Sequence, residues 1–418
     1  MKIAMRAFCR VYQVLFHLAL PVLPYREPER YTGVEEVPGI LQRLGADAVL
    51  LVTDPGLRRA KVTDGLEKLL AQQGIRCVVY DGTCANPTVE NIEQARALYL
   101  SEGCRALIAF GGGSSMDCAK AVGARIAYPK KSLDQLKGLL RVLRRIPPLI
   151  AIPTTAGTGS EVTVTAVITD RKKHHKYTMN DFTLIPRYAV LDPQVTLSLP
   201  PQVTATTGMD ALTHAVEAYI GRSTTKETRA LALDATSRVF RYLETAYRDG
   251  SNLEARENML LAAYRAGIAF SKSYVGYIHA VAHSLGGQYN IPHGLANAVL
   301  MPIVLEAYGA SAEKKLHELA LAAGVAQAWD SDHAAAQKFI AAIRELNRRM
   351  QIPATLSGIR QEDIPQMAAY AAREANPLYP VPRLMDAKEL EQFYEKVADR
   401  AGDILWEKED NLPDKEAV

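Results

Sequence analysis

Cysteine is scarce in this chain. The five present, Cys9, Cys77, Cys84, Cys104 and Cys118, are odd in number, scattered, and form no C-x-x-C pair. That excludes a disulfide framework and a cysteine-built zinc site, and it fits a reducing, cytoplasmic setting. Charge of one sign is also missing: Lys and Arg total 49 and Asp and Glu 46, a net charge of +3, so no single-signed field points to nucleic acid. The apolar run near the start, Val14 to Leu23, is interrupted by His17 and Pro21 and is far shorter than the roughly 20 residues that span a bilayer. It follows a basic start as in a secretory signal, yet no A-x-A-like cleavage site comes after it. Residues 1–30 are therefore read as a helical N-terminal extension docked on the protein or on a second subunit, with surface membrane contact as the lesser alternative.

What is there suits a soluble enzyme of two domains. A chain of 418 residues is too long for one ordinary core, and its 48% hydrophobic and 23% charged content is average for globular proteins. Up to about residue 200, short apolar runs alternate with amphipathic stretches. "DAVLLVTD" (47–54), "IRCVVYDG" (75–82), "RALIAFGGG" (105–113), "PLIAIPTT" (148–155) and "YAVLDP" (188–193) read as buried strands. The helical stretches between them close on Gly74 and Gly103, as helix C-termini often do. This alternation predicts an α/β domain over residues 31–200 with a parallel, Rossmann-like sheet. Beyond Pro200 and Pro201 strand-like runs nearly vanish, and "GMDALTHAVEAYI", "EARENMLLAAYRAGIAFSKS" and "AAAQKFIAAIRELNRRM" predict an all-α domain over residues 201–418.

Two loops at strand ends have the composition of a nucleotide site. In "LIAFGGGSSMDCAKAVG" a strand ends in Gly111-Gly112-Gly113 and a helix begins at once. Glycines admit a ligand close to the backbone, and the free N–H groups of a new helix favour an anion such as a pyrophosphate. Neither G-x-G-x-x-G nor a P-loop G-K-[ST] is present, and a tight strand-to-helix turn would use the same residues. The second loop, "IPTTAGTGSEVT" (152–163), also follows a strand, and two such loops mark where an open α/β sheet binds its ligand. Asp54, ending "LLVTD", is placed to hydrogen-bond a ribose hydroxyl and repel the extra phosphate of NADP, although Asp-Pro-Gly is equally an ordinary turn.

Nine histidines occur in the chain, and three of them fall in "IHAVAHSLGGQYNIPHG" (278–294). His279 and His283 are four apart and share a helical face, His293 returns after a turn, and upstream "DALTH" repeats the spacing with Asp210 and His214. Imidazoles with one carboxylate suit Zn²⁺ or Fe²⁺ over Mg²⁺ or Ca²⁺. Spacing alone would pair His279 with His283 on the ion. Tyr274 and Tyr277 just before the block serve equally as pocket wall or as packing aromatics.

"GGGSSMDCAK", "PTTAGTGSEVT", "LDP", "TGMDALTHAVEAY" and "HAVAHSLGGQYNIPHGLANAVLMP" resemble, in order and spacing, the iron-containing (group III) alcohol dehydrogenases. The likeness runs over about residues 40 to 400. It implies an α/β dinucleotide-binding domain followed by an all-α metal-binding and catalytic domain. Asp210, His214, His279 and His293 would be the metal ligands. His283 would not ligate but face the nicotinamide and handle the proton. Gly112, Gly113 and Ser114 would hold the pyrophosphate, Asp117 would lie near the nicotinamide end, and Thr154, Thr155, Thr158 and Lys176 would line the cofactor cleft. Asp54 matches the position associated with NAD over NADP. The implied activity is NAD(P)-dependent interconversion of primary alcohols or diols with aldehydes or ketones, by hydride transfer from an alkoxide held on Fe²⁺ or Zn²⁺, in a homodimer. Glycerol-dehydrogenase-like or dehydroquinate-synthase-like chemistry on the same scaffold, or a metallohydrolase, are the alternatives. The extension before Tyr31 and the stretch "EANPLYPVPRLM" depart from the family pattern.

Overall fold

A run such as Ala48-Val-Leu-Leu-Val52 has no polar side chain to offer water, so it is stable only when covered on both faces. The computed structural model, which describes residues 1, 3–19, 24–171 and 175–399, shows the cover. The strands are β1 (Glu29–Tyr31), β2 (Ala48–Val52), β3 (Arg76–Tyr80), β4 (Ala106–Gly111), β5 (Gly138–Leu139), β6 (Leu149–Pro153), β7 (Thr165–Asp170), β8 (His175–Asn180) and β9 (Tyr188–Val190). Six of them form one parallel sheet of order β1-β9-β6-β4-β2-β3. Leu50 and Val52 of β2 face a core with Met116 and Val122, whereas Val49 and Leu51 face another with Leu66 and Leu70. The period-2 alternation of the strand thus feeds both layers.

Helices fill the crossovers because their ends are specified. Thr88 closes a capping box on the helix Val89–Ser101, and Gly74 and Gly103 sit just past helix ends at φ +70° and +63°, the left-handed region that favours glycine. After β9 no strand occurs among the described residues. The helix Pro201–Ile220 begins with proline in its first turn, and Lys226–Arg248, Leu253–Ser273, Tyr277–Tyr289 and His293–Tyr308 follow. The segment His293–Ser311 is apolar and long enough to cross a bilayer by composition, but 61% of it is buried in the protein, as befits the central helix of this part.

Two expectations need correction. Among the described residues of the N-terminal extension, helix covers Ile3–Ala19, and the extension's expected end at residue 30 falls inside β1, which pairs with β9 as the sheet's edge. Three residues reading Glu-Arg-Tyr carry no alternating apolar pattern for a reader to find. Leu20 to Leu23 of the apolar run lie outside the described residues. The stretch "DRKKHHKY", expected as a solvated loop, contributes His175–Tyr177 to β8, antiparallel to β7; Lys172 to His174 lie outside the described residues.

The second polar loop is joined to the helical part by backbone. Gly159, at φ +60°, lies so close to the helix Leu253–Ser273 that a Cβ there would come within 2.8 Å of Gly267 Cα and 2.9 Å of the Ala263 carbonyl oxygen. A Cβ at Gly267 would meet Val162 Cγ2 at 2.5 Å. Helix propensity alone would make Gly267→Ala stabilising by about 1 kcal/mol, but overpacking at such a contact costs about 1–3 kcal/mol. Gly267→Ala is therefore expected to lower the urea midpoint, and a raised midpoint would show that the contact constrains nothing.

Candidate metal and cofactor site

Asp210, His214 and Glu217 recur at i, i+4 and i+7 on the helix Pro201–Ile220, so they share one face. All three are buried. Glu217 had no role in the sequence reading, although its spacing put it on that face. Its carboxylate accepts from the backbone N–H groups of Gly276 (2.7 Å) and Ile278 (2.8 Å), at the start of the helix Tyr277–Tyr289, and from His279 Nδ1 at 2.6 Å. One acid thus caps a helix and fixes a histidine tautomer: with Nδ1 donating, His279 directs the Nε2 lone pair elsewhere. Burial pushes Glu217 up to about 7 against the pull of those donors. Burial, followed by the neighbouring histidines, holds His279 well below the ordinary imidazole range, so the ring is neutral, as a ligand must be.

His279 Nε2 lies 3.9 Å from Asp210 Oδ1, and His293 Nε2 lies 3.5 Å from the same oxygen. Ligand atoms of Asp210, His279 and His293 all fall within 4.8 Å of one another, where a tetrahedral N/O set about 2.1 Å from an ion would space them about 3.4 Å apart. His214 stacks on His279, with ring centroids 4.5 Å apart, and on Phe270 at 4.1 Å, and its Nδ1 is 4.0 Å from Asp210 Oδ2. Both His279 Nε2 and His214 Nδ1 are buried without a hydrogen-bond partner among the described residues, an expensive arrangement unless another group completes it. Two such nitrogens around a buried carboxylate fit a divalent ion. Asn297, one turn beyond His293, was missed as well; its Nδ2 donates to Asp210 Oδ1 at 2.7 Å.

His283 borders this cluster without joining the grouped ligand atoms: its ring centroid lies 5.1 Å from that of His293 and 6.0 Å from that of His279. Its Nδ1 lies 2.6 Å from Glu374 Oε1, and the Tyr379 hydroxyl donates to the same oxygen at 2.7 Å. Burial raises Glu374, but the His283 charge and the two hydrogen bonds outweigh it and hold the acid below its usual range. Its partner lies 91 residues away in sequence, so no local spacing signalled Glu374. Tyr277 is packing: it is fully buried, and its hydroxyl is engaged by Asn376 and Met385.

The glycine loop and the second loop meet at the C-terminal ends of β4 and β6, where Gly111 pairs with Pro153. Gly112 starts the helix Gly113–Ala127 with no side-chain cap, which leaves the first N–H groups for a guest. A Cβ at Gly113 would meet Thr158 at 3.0 Å, and one at Gly112 would meet Thr155 at 3.4 Å, so larger residues would fill this cradle. The Ser114 hydroxyl accepts from Asn86 N at 3.2 Å, and the Thr154 amide donates to the Gly111 carbonyl at 3.1 Å. Asp117, expected near the nicotinamide end, uses its oxygens to accept from Ser160 Oγ (3.0 Å) and Val167 N (3.1 Å), joining the helix to the second loop and β7. Asp54 Oδ1 accepts from Gly56 N (2.8 Å) and Leu57 N (3.0 Å), so it caps the short helix Pro55–Arg59 beside the loop. Lys176 lies in β8 opposite Thr169. Buried Lys120, with no role in the sequence reading, donates to Ser160 Oγ, to Thr163 and to the Thr165 carbonyl. Gly157 of the second loop makes a backbone hydrogen bond to His214, which ties the cofactor cradle to the metal cluster.

Two expectations follow. Glu217→Leu removes the acceptor that fixes His279, and losses of such supporting carboxylates cost about 10–100-fold in metal affinity; a competition titration with a fluorescent zinc chelator reads this, and unchanged affinity would refute the role. Burial also raises Glu161 to about 7. A carboxyl with a raised folded pKa adds stability that is fully present below its unfolded value near 4.5 and is lost as pH rises through 7. Burial lowers Lys120 to about 8, so it adds little slope below that pH. The metal-free protein should lose on the order of 2 kcal/mol per group between pH 5 and 7.5. Urea unfolding of Glu161→Gln should show a flatter pH dependence; an identical slope would remove Glu161 from the account.

Residues 31–193 match the family described as iron-containing alcohol dehydrogenase, and residues 204–398 match the C-terminal part of the Fe-containing alcohol dehydrogenase family. The chain is 39% identical over 339 residues to 1,3-propanediol dehydrogenase of Klebsiella pneumoniae, covering 80% of this chain and 87% of that one. It is 34% identical over 341 residues to the NAD-dependent methanol dehydrogenase of Bacillus methanolicus, covering 81% and 89%. A crystal structure of a 1,3-propanediol oxidoreductase superposes with a TM-score of 0.86 at 36% identity, over 89% of this chain and 99% of that one.

Proposed function

The chain belongs to the iron-containing alcohol dehydrogenase family and interconverts alcohols and aldehydes, and from that premise we propose that it oxidises primary alcohols or diols with NAD⁺, and runs the reverse with NADH, as a cytoplasmic homodimer. In this reading Asp210, His214, His279 and His293 hold one Fe²⁺ or Zn²⁺. The observation that carries it is the pair of orphaned imidazole nitrogens beside the Asp210 carboxylate, tied through Gly157 to the loop that cradles a nucleotide. Three nitrogens and one oxygen accept either metal.

The ion supplies charge that lowers the pKa of the alcohol oxygen, and the nicotinamide supplies the hydride acceptor. The chain does the rest. Gly112, Gly113 and Ser114 receive the pyrophosphate at the uncapped helix end. Thr154, Thr155, Thr158 and Lys176 border the cofactor, with Asp117 bracing that wall from behind. Asp54, already accepting two backbone bonds, presents its negative charge where the 2′-phosphate of NADP would sit. Oxidation releases a hydride from carbon and a proton from oxygen. His283 is the group beside the cluster that carries a proton onward: Glu374 fixes Nδ1, so the exchange falls to Nε2.

The test is turnover at 340 nm with protein loaded with Fe²⁺ or Zn²⁺, across primary alcohols and diols. NAD⁺ should be reduced at least roughly tenfold more efficiently than NADP⁺, and Asp54→Ala should narrow that ratio by losing the repulsion. Metal binding with no absorbance change for any alcohol would sink the reading.

A further inference from the structure

The helix Ile3–Ala19 is reversed relative to an ordinary surface helix. Its polar side chains face the protein: Cys9 and Gln13 are buried, Gln13 Nε2 donates to the carbonyls of Tyr379 (2.7 Å) and Pro377 (3.2 Å), and Arg10 donates to those of Val381 (2.8 Å) and Pro382 (2.9 Å). The outward side carries Ile3, Phe8, Val11, Val14, Leu15 and Leu18, each more than half exposed. A helix on a soluble protein normally does the opposite and buries its apolar stripe. The helix also precedes residue 31, where the matched family segment begins.

We propose that this face seats the protein on a phospholipid bilayer with anionic headgroups, the helix lying in the interface plane. Width and charge choose lipid over a second copy of the chain. At 100° per residue the apolar arc from Ile3 through Val14, Leu18, Val11, Leu15 and Phe8 to Tyr12 covers about 180° of the cylinder. A paired helix covers only a narrow seam and would leave Ile3 and Tyr12 in water; a bilayer interface covers the whole arc. The first 26 residues contain Lys2, Arg6, Arg10 and Arg26 and no Asp or Glu. Arg10 and Arg26 donate to backbone carbonyls, whereas Arg6 is exposed; two copies would set this positive charge against itself, and an anionic leaflet attracts it. The docked helix that the sequence reading put first thus describes the polar side, and the surface membrane contact it put second describes the apolar one. The strap held by the polar side, residues 377–382, carries Tyr379, which bonds Glu374 beside His283, so the bilayer would lie along the catalytic end of the helical part.

The full chain, metal-loaded, is sedimented with vesicles of phosphatidylcholine alone or mixed with phosphatidylglycerol. Apparent affinity should be at least roughly tenfold higher for the anionic vesicles and fall with added salt. Phe8→Glu/Leu15→Glu should stay in the supernatant with an unchanged thermal midpoint, since neither side chain is buried. Should that variant fail to fold, Arg6→Gln should still weaken binding to the anionic vesicles several-fold and leave binding to the neutral ones unaltered. The proposal is overturned if the wild type stays in the supernatant with every vesicle, or binds neutral and anionic vesicles alike. It is also overturned if light scattering shows an assembly that Phe8→Glu/Leu15→Glu splits, because the face would then join copies of the chain.

Discussion

The buried carboxylate of Glu217 is the constraint on which the site depends. Removing an ionised acid from water is costly, and this one is stabilised only because three donors converge on it: two backbone amides at the start of one helix and a histidine ring one residue further on. The same bonds decide two levels of structure at once. They set the helix Tyr277–Tyr289 against the helix Pro201–Ile220, and they turn the His279 ring so that its remaining nitrogen faces Asp210. Helix packing and ligand geometry are therefore one adjustment, and neither can drift without the other.

Electrostatics then keep the donors in the right form. Desolvation outweighs the attraction of Asp210 at His214, and crowding by other imidazoles adds to burial at His279, so both rings stay neutral while the carboxylate stays close. A few ångströms away Glu374 faces the exposed ring of His283. Both histidines of the block hold an acid at Nδ1, and they differ because the His279 ring is buried while the His283 ring is open to solvent.

Much of this was legible in the sequence. Runs such as AVLLV and ALIAF announce strands buried on both faces, and β2, β4, β6 and β9 lie where those runs put them. The edge strand β1 was not legible because its three residues, two of them charged, carry no period, and β7 with β8 hid because the sequence joining them is rich in charge. Asp210, His214, His279 and His293 stand out through spacing, yet spacing alone pairs His279 with His283; the return of the chain that brings His293 beside Asp210 and turns His283 Nδ1 toward Glu374 is a tertiary event. Glu217 and Asn297 sat at helical spacings from the ligands and could have been found. Glu374 could not, since its partner comes from a distant helix.

The contact between Gly159 and Gly267 has a consequence for how such a protein can change over generations. At position 267 the nearest obstacle to a side chain is the Val162 methyl group at 2.5 Å, with the Gly159 backbone behind it at 3.1 Å, so a smaller residue 162 removes the first obstacle and leaves the second, and it must come before any replacement at 267. At position 159 the obstacles are the Gly267 backbone and the Ala263 carbonyl, which no neighbouring substitution removes. Backbone faces backbone on both sides of the seam, so a neighbouring change can ease position 267 by one methyl group and position 159 not at all.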